Sequence, residues 1–303
     1  MSSREDWIAS NNYLRDVLIQ GDIINLSPLR IGAGKETVLV SPIDLSVIRV
    51  NLNGIPTPYI PGSSLKGIFR SQATALSRSK GLNVCSGLSK ETCMDTKVIG
   101  GVPLRQFVDW NLRAGNVANA LRAFASDACL LCHVFGAPSY ASKVNFSDAY
   151  PIEREGVRLG SRTGIAIDRK TGAVFHQALY TVEYVEPGAR FSLSIHCRNI
   201  PNYALGLISS IIKLVNDGSV RVGGLKSRGF GLVKIENLSF SIKDAQGSEA
   251  VLRALDECDS EVDISGLRKE RRDGYVVIRG GECERLMDAL QEVWRGFKGY
   301  EQR

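Results

Sequence analysis

The sequence predicts an α+β fold, a modified ferredoxin-like antiparallel sheet carrying long loops, on three observations. Strand-like alternation and helical periodicity follow one another in the order strand, helix, insertion, strands, helix, strand. The chain has 303 residues, 44% of them hydrophobic, enough to bury a sizeable core in one elaborated domain. Nothing in it is low-complexity, and no repeat with a period of roughly 20 to 50 residues interrupts that order.

Taken in order, "VLIQGDIINL" (17–26) alternates as a strand does, and the Gly-containing "RIGAGKETVLVSPIDLSVIRV" reads as a loop, with room for function at its tip, entering a second strand around 45–50. Pro and Gly run up to residue 62. A Ser N-cap at Ser63 or Ser64 then opens a helix with Leu65, Ile68, Phe69 and Leu76 on one face. Residues 80–101 lack periodicity and hold Cys85 and Cys93, while 103–125 are helical despite Gly115, and together they read as an insertion. Strands are expected at 143–149, 178–186 and 190–197, the last two joined by the turn "EPGA" and preceded by a polar hairpin, "RTGIAIDRKTGAVFHQ". The amphipathic "YALGLISSIIKLVND" is a helix, and "GSVRVGGLKSRGFGLVKIENLSFSI" is a Gly-rich loop feeding a strand. Beyond 246 two short helices and a strand, "GYVVIR", are expected. The order is equally that of an RNA-recognition-like sheet.

Thirty-eight Lys and Arg against thirty-two Asp and Glu give +6, which favours an anionic partner and is also ordinary solubility charge. The first thirty residues carry charges throughout and no stretch approaches about eighteen uncharged apolar residues, so neither a signal peptide nor a membrane span is expected and the cytoplasm is the expected compartment. Seven cysteines in a reducing compartment point to metal ligands or buried thiols rather than a disulfide framework. "CLLCH" (129–133) fits haem attachment, half of a zinc site or a buried helix, and the cytoplasmic reading weakens the first.

Two segments suit phosphate. At the helix start, "PGSSLKG" offers unpaired backbone N–H groups with Lys66 and Arg70 one turn apart, although a capped surface helix with two solvated cations has the same sequence. In "VGGLKSRGFGLVKI" (222–235) four glycines around Lys226 and Arg228 let a backbone approach a ligand, or simply make a turn. Its "RGFGLVKI" overlaps an RNA-binding strand motif, with Leu232 and Ile235 where aromatics would stand, so backbone contact is expected rather than stacking. Cys85, Cys93, Cys129 and Cys132, with His133 as substitute ligand, are two pairs able to close a tetrahedral structural Zn²⁺ site. Cys197, Cys258 and Cys283 read as buried thiols. Only His133, His176 and His196 are available for acid–base work, which leaves any nuclease chemistry to carboxylates. Asp44 in "SPIDLSV" is one such, with a turn residue as the commoner reading.

"IPGSSLKGIFRS", "CHVFGAPSYASKVNFSDA", "RTGIAIDRKTGAVFHQALYTVEYVEPGARF" and "VGGLKSRGFGLVKI", in this order, resemble the signature helix, small-residue segment, thumb with its following strands, and glycine loop of the RAMP superfamily. The likeness is to the backbone subunit of type III CRISPR effector complexes, of Csm and Cmr types, from about residue 15 to 240. The resemblance implies one domain over 1–303, with a core at about 15–245, a zinc-containing insertion at about 80–135, a thumb at about 156–178 and a C-terminal extension at about 246–303.

What the resemblance implies for function is a subunit that stacks head to tail with copies of itself along a CRISPR RNA, beside other type III effector subunits and away from any membrane. Its thumb displaces nucleotides at regular intervals, and target RNA paired to the guide is cut by a metal-dependent mechanism, with Mg²⁺ or another divalent cation. The family's nuclease Asp precedes the second strand, which carries the role onto Asp44. Its guide contacts fall on Ser63, Ser64, Lys66 and Arg70 in the helix and on Lys226 and Arg228 in the glycine loop. Zinc in the insertion before "FG" falls on Cys85, Cys93, Cys129 and Cys132, with His133 as the alternative ligand. Two rivals are a non-catalytic scaffold of the same complex and a guide-processing ribonuclease of metal-independent chemistry, against which the few histidines argue.

Overall fold

In the computed structural model, which describes residues 3–32, 43–245 and 249–300, a single turn α1 (Arg4–Ile8) buries Trp7 and Ile8 ahead of the strand β1 (Arg15–Asn25). Val17, Ile19 and Ile23 of β1 are buried, while Gln20 faces solvent, the two-residue period of a strand with one covered face. The tip of the following loop, residues 33–42, lies outside the described residues.

A small hairpin of β2 (Arg49–Leu52) and β3 (Ile55–Pro58) leads into α2 (Gly62–Ser79), which buries Leu65, Phe69 and Ala73. The insertion then contains α3 (Cys93–Thr96), the short strands β4 (Val98–Ile99) and β5 (Val102–Pro103), and the helices α4 (Leu104–Arg113), α5 (Val117–Asp127) and α6 (Leu130–Phe135). The stretch expected to be one helix over 103–125 is broken in two at Gly115, whose φ of +77° no continuing helix can adopt.

After β6 (Val144–Phe146) come β7 (Leu159–Ile167) and β8 (Val174–Val185), which form a two-stranded ribbon anchored at its base by bridges from β8 to Leu29 and Leu45, and then β9 (Arg190–Arg198). The "EPGA" turn joins β8 to β9 as expected, but the two strands lie in different sheets. Gly188, at φ +100°, donates its N–H to Asn25 and turns the chain from the ribbon into the sheet, where β9 lies between β1 and β6.

The helix α7 (Asn202–Asn216) is buried on nearly all sides rather than on one face. Its outer face is covered by the tail, where β10 (Val233–Asp244) is followed by β11 (Val251–Leu252), β12 (Val262–Asp263), β13 (Glu270–Arg272), β14 (Tyr275–Arg279) and α8 (Gly281–Gly296). One sixteen-residue helix replaces the two short ones expected there. Gly206 permits the approach of α8, since a Cβ at that position would stand 2.1 Å from the Leu290 carbonyl oxygen. Buried Asp256 accepts hydrogen bonds from Trp7 Nε1 (2.8 Å) and Tyr203 Oη (2.7 Å), tying the tail to the N-terminal turn and to α7.

The main sheet runs β13-β14-β10-β1-β9-β6, all antiparallel. Helices α2 and α7 pack with the apolar side chains of one face, while on the other Arg190, Ser192, Arg198, Lys234 and Lys243 are exposed.

Candidate functional site

Three segments meet at the end of the sheet where β1 finishes and β10 begins. Gly223, at φ +82°, crosses so close to the 28–32 segment that a Cβ would lie 2.3 Å from the Arg30 carbonyl oxygen. Gly224 donates its N–H to that oxygen (2.8 Å), and Gly231 donates to the Pro28 carbonyl (2.9 Å). The glycines thus clamp the loop onto the segment after β1, and α2 closes the third side. The result is a shallow hollow of about 390 Å³ lined by Arg30, Gly32, Ser64, Gly67, Gln72 and Lys226.

Arg30 is the residue that sequence reasoning missed. Burial lowers its pKa from the ordinary value, and among the described residues it has no carboxylate partner, only the Leu45 carbonyl 3.4 Å from Nε. A partly desolvated guanidinium without an acid, at a hollow with Lys226, can hold an anion. Its only sequence signal was an arginine at the entry to the Gly-containing loop "RIGAGK".

The expected guide contacts divide between two places. Ser64 and Lys226 line the hollow and Ser63 is exposed at the helix start. Lys66 and Arg70 lie elsewhere on the helix. Arg70 donates to the Gly136 carbonyl (3.0 Å) and packs its guanidinium where a Cβ on Gly87 would be, so it faces the insertion; its Nε and Nη2 are buried without a partner among the described residues. Burial first, then Arg70, lowers the Lys66 pKa. The helix start is also less open than its sequence suggests, because the Gly62 N–H donates to Asp148 Oδ1 (2.7 Å). Arg228 is exposed and hydrogen-bonds Tyr180 Oη on the ribbon strand β8.

Asp44 is exposed just before the β2–β3 hairpin, and the ribbon holds it there. Asp44 and Leu45 both donate N–H groups to the Thr181 carbonyl (3.1 Å each), and Thr181 returns its own N–H to Asp44 Oδ2 at 2.7 Å. Next to it, Glu183 is engaged by the Val47 N–H (2.9 Å) and by Arg49. Asp44 is therefore a single carboxylate with one oxygen committed to the ribbon backbone, able to give a hard cation one ligand while phosphate and water complete an octahedron.

In the insertion, Cys85, Cys93, Cys129 and Cys132 bring their sulfurs within 4.8 Å of one another. Cys85 follows α2, Cys93 opens α3, Cys129 caps α6 and Cys132 lies in its first turn. Cys85 Sγ is 3.3 Å from Cys132 Sγ and 3.7 Å from Cys129 Sγ. A tetrahedron with Zn–S bonds of about 2.3 Å has edges of about 3.8 Å, so the four thiols fit a zinc ion. Hydrogen bonds among the four thiols lower the Cys85 pKa, through Cys129 first, and raise those of Cys93 and Cys132, so protons are shared unevenly within the cluster. His133 does not join them. Fully buried, it turns Nε2 to the Phe124 carbonyl (3.0 Å) and Nδ1 to Tyr300 Oη (3.3 Å), which rules it out as the fourth ligand.

No described helix is long and apolar enough to cross a membrane. The chain matches no curated protein. A family model described as the RAMP superfamily matches residues 22–234, a span that contains the hollow, Asp44, the ribbon and all four clustered cysteines.

Proposed function

The chain belongs to the RAMP superfamily, a family of CRISPR-associated RNA-binding proteins, and on that premise we propose that it is a backbone subunit of a type III interference complex. In this reading copies stack head to tail along the CRISPR RNA beside other effector subunits, and guide-paired target RNA is cut beside Asp44 with a divalent cation bound there. The observation that carries it is the hollow where Arg30, Ser64 and Lys226 converge on a backbone loop without side-chain bulk. That is chemistry for gripping phosphates, not for reading bases. The sheet order β10-β1-β9-β6, with α2 after β1 and α7 after β9, supports the ferredoxin-like reading of the core. The β7–β8 ribbon supports a thumb, and the four cysteines support one structural Zn²⁺ that holds the insertion.

Asp44 sits where the ribbon leaves the body, a position suited to a phosphate pushed out of A-form stacking by the ribbon. A bound divalent ion would supply neutralisation of the charge that builds on the scissile phosphate. The same 2.7 Å bond to Thr181 favours a second reading, in which Asp44 only fixes the ribbon and the subunit is a scaffold. Assembling the complex with a guide and a matched RNA, with and without chelator, tests both: regularly spaced, chelator-sensitive cuts lost on Asp44→Ala support the nuclease, and cuts that persist in the Asp44→Ala assembly leave a scaffold.

A further inference from the structure

At the opposite end of the sheet, the open face carries a second charged cluster. Asp16 of β1 lies directly across from Arg198 of β9 and from Lys243 of β10, so the three side chains share one face in one row. Either cation would be the expected ion-pair partner of Asp16, but its carboxylate is already engaged. His196 Nε2 lies 2.5 Å from Oδ1, and Tyr275 Oη donates to Oδ2 at 2.8 Å. Arg198 and Lys243 are therefore left without a carboxylate among the described residues. They lie over aromatic rings instead, Arg198 5.9 Å from the centroid of Tyr13 and Lys243 5.7 Å from that of Tyr275.

The rest of the same face shows that this is not how its cations are generally treated. Arg190 meets Asp22 (3.6 Å) and Glu236 (3.8 Å), Lys234 meets Glu236 (3.2 Å), and Arg279 meets Glu270 (3.4 Å). Among the described residues of this face, positive charge is neutralised there and left available beside Asp16. The neighbouring rows carry Gln20, Ser194, Ser239 and Ser241 with Leu18 among them, a flat and mostly polar surface. A protein interface would place apolar side chains at its centre, whereas single-stranded nucleic acid takes a cationic track with exposed rings beside it. Tyr13 is 43% exposed.

We infer that this end of the open sheet face is a second contact site for single-stranded RNA, with Arg198 and Lys243 on phosphates and Tyr13 and Tyr275 offering ring faces to bases. Asp16 and His196 act as positioning residues, holding Tyr275 and keeping the carboxylate away from the two cations. Nine steps of β1 run from Asp16 to Asn25, about 30 Å at the rise of a strand, a distance that ten nucleotides cover even at the stacked spacing of about 3.4 Å, so the two sites are separated by disabling the Arg30 hollow. The choice of RNA over other polyanions rests on the proposed function; the availability of the cations does not.

The test uses the full chain without a guide, a fluorescein-labelled oligouridylate of about ten nucleotides, and the exposed-residue variants Arg198→Gln/Lys243→Gln and Tyr13→Leu, which leave the bonds to Asp16 untouched. Ultraviolet crosslinks are expected at Tyr13 or Tyr275. In a background with the hollow disabled by Arg30→Gln/Lys226→Gln, the sheet pair should weaken binding about tenfold or more and lower the logarithmic salt slope by roughly 1.4, two phosphate contacts' worth. Crosslinks confined to the hollow, with Arg198→Gln/Lys243→Gln binding unchanged, would overturn the inference and leave the hollow reading standing. Binding lost only in the sheet variant would keep this site and remove the hollow. Polyglutamate competing as well as RNA of equal charge, with Tyr13→Leu silent, would reassign the face to an acidic protein segment and overturn the RNA assignment.

Discussion

Gly224 donates its main-chain N–H to the Arg30 carbonyl at 2.8 Å, and the same oxygen leaves no room for a side chain on Gly223. Two demands meet at Gly223, a φ of +82° and a Cβ position 2.3 Å from backbone oxygen. A side-chain clash could be relieved by rotation; this one needs the backbone to move. Gly223→Ala should therefore cost about 1–3 kcal/mol in chemical denaturation and lower RNA affinity by displacing Arg30. Gly54, also at positive φ but with nothing within 4 Å of its Cβ, is the control: Gly54→Ala should show the smaller cost of φ alone, with RNA binding intact.

In the proposed site Lys226 and Arg30 would offer charge to phosphates rather than hydrogen bonds to base edges, so Lys226→Gln and Arg30→Gln should weaken binding of all RNA sequences alike. Each should reduce the slope of log affinity against log salt by roughly 0.7. Titrations with two unrelated sequences at three salt concentrations check this. A change in which sequence is preferred would mean that base contacts are being made.

The sequence made the sheet and both of its covering helices legible, because alternation in "VLIQGDIINL" and the apolar face of α2 are local patterns. What it hid was non-local. Arg30 and Gly223 are far apart in the chain, and only the close crossing of their backbones makes Arg30 a site residue. Arg70 was read as solvent-facing from its spacing to Lys66, but Gly87, with no Cβ and a φ of +77°, opens the slot that draws its guanidinium into the insertion. The "EPGA" turn was legible as the link between two strands, but turn chemistry fixes a change of direction and not the strand that will be met afterwards. The cysteine cluster was the easiest to read, since two pairs within one insertion lie close enough in the chain for their sulfurs to meet.

The cluster of Cys85, Cys93, Cys129 and Cys132 should hold one zinc per chain, measurable by metal analysis of protein purified without chelator. Cys132 is fully buried, and Cys132→Ser should lose the metal and loosen α3 to α6, seen as faster amide exchange confined to the insertion. His133→Gln should keep its zinc, because neither imidazole nitrogen faces the sulfurs. Loss of zinc on that substitution would restore His133 as a ligand.

Lys143 is 4% exposed, donates to the Ala9 carbonyl at 3.0 Å, and has its pKa pushed down to about 8 by burial and then by Arg198. The unfolded chain keeps the proton up to about 10.4, so between these values the folded state binds fewer protons and stability rises with pH. At about 1.36 kcal/mol per pH step, the advantage of wild type over Lys143→Met should grow by about 2 kcal/mol between pH 7.5 and 9.5. Denaturation curves for both proteins at the two pH values isolate this residue, since the other titrating groups are common to both. A constant difference would mean that Lys143 stays charged throughout.

Asp44 has one observed role and one proposed role, which substitution can separate. Its Oδ2 accepts the Thr181 N–H at 2.7 Å, and its charge is what a divalent cation would require. Attack of a ribose 2′-oxygen on the adjacent phosphorus builds negative charge on the phosphorane and on the departing 5′-oxygen, and with only three histidines in the chain a carboxylate-held cation is the stabiliser this reading invokes. Asp44→Ala removes both roles and should lower cutting of guide-paired RNA on the order of a hundredfold or more. Asp44→Asn keeps an acceptor for Thr181 and removes only the charge; it should assemble and bind target as wild type does while cutting as poorly as Asp44→Ala. The comparison is decided by the asparagine. Wild-type cutting by Asp44→Asn, with Asp44→Ala impaired in ribbon order or assembly, would make the bond to Thr181 the whole purpose of the residue and move the nuclease to another subunit.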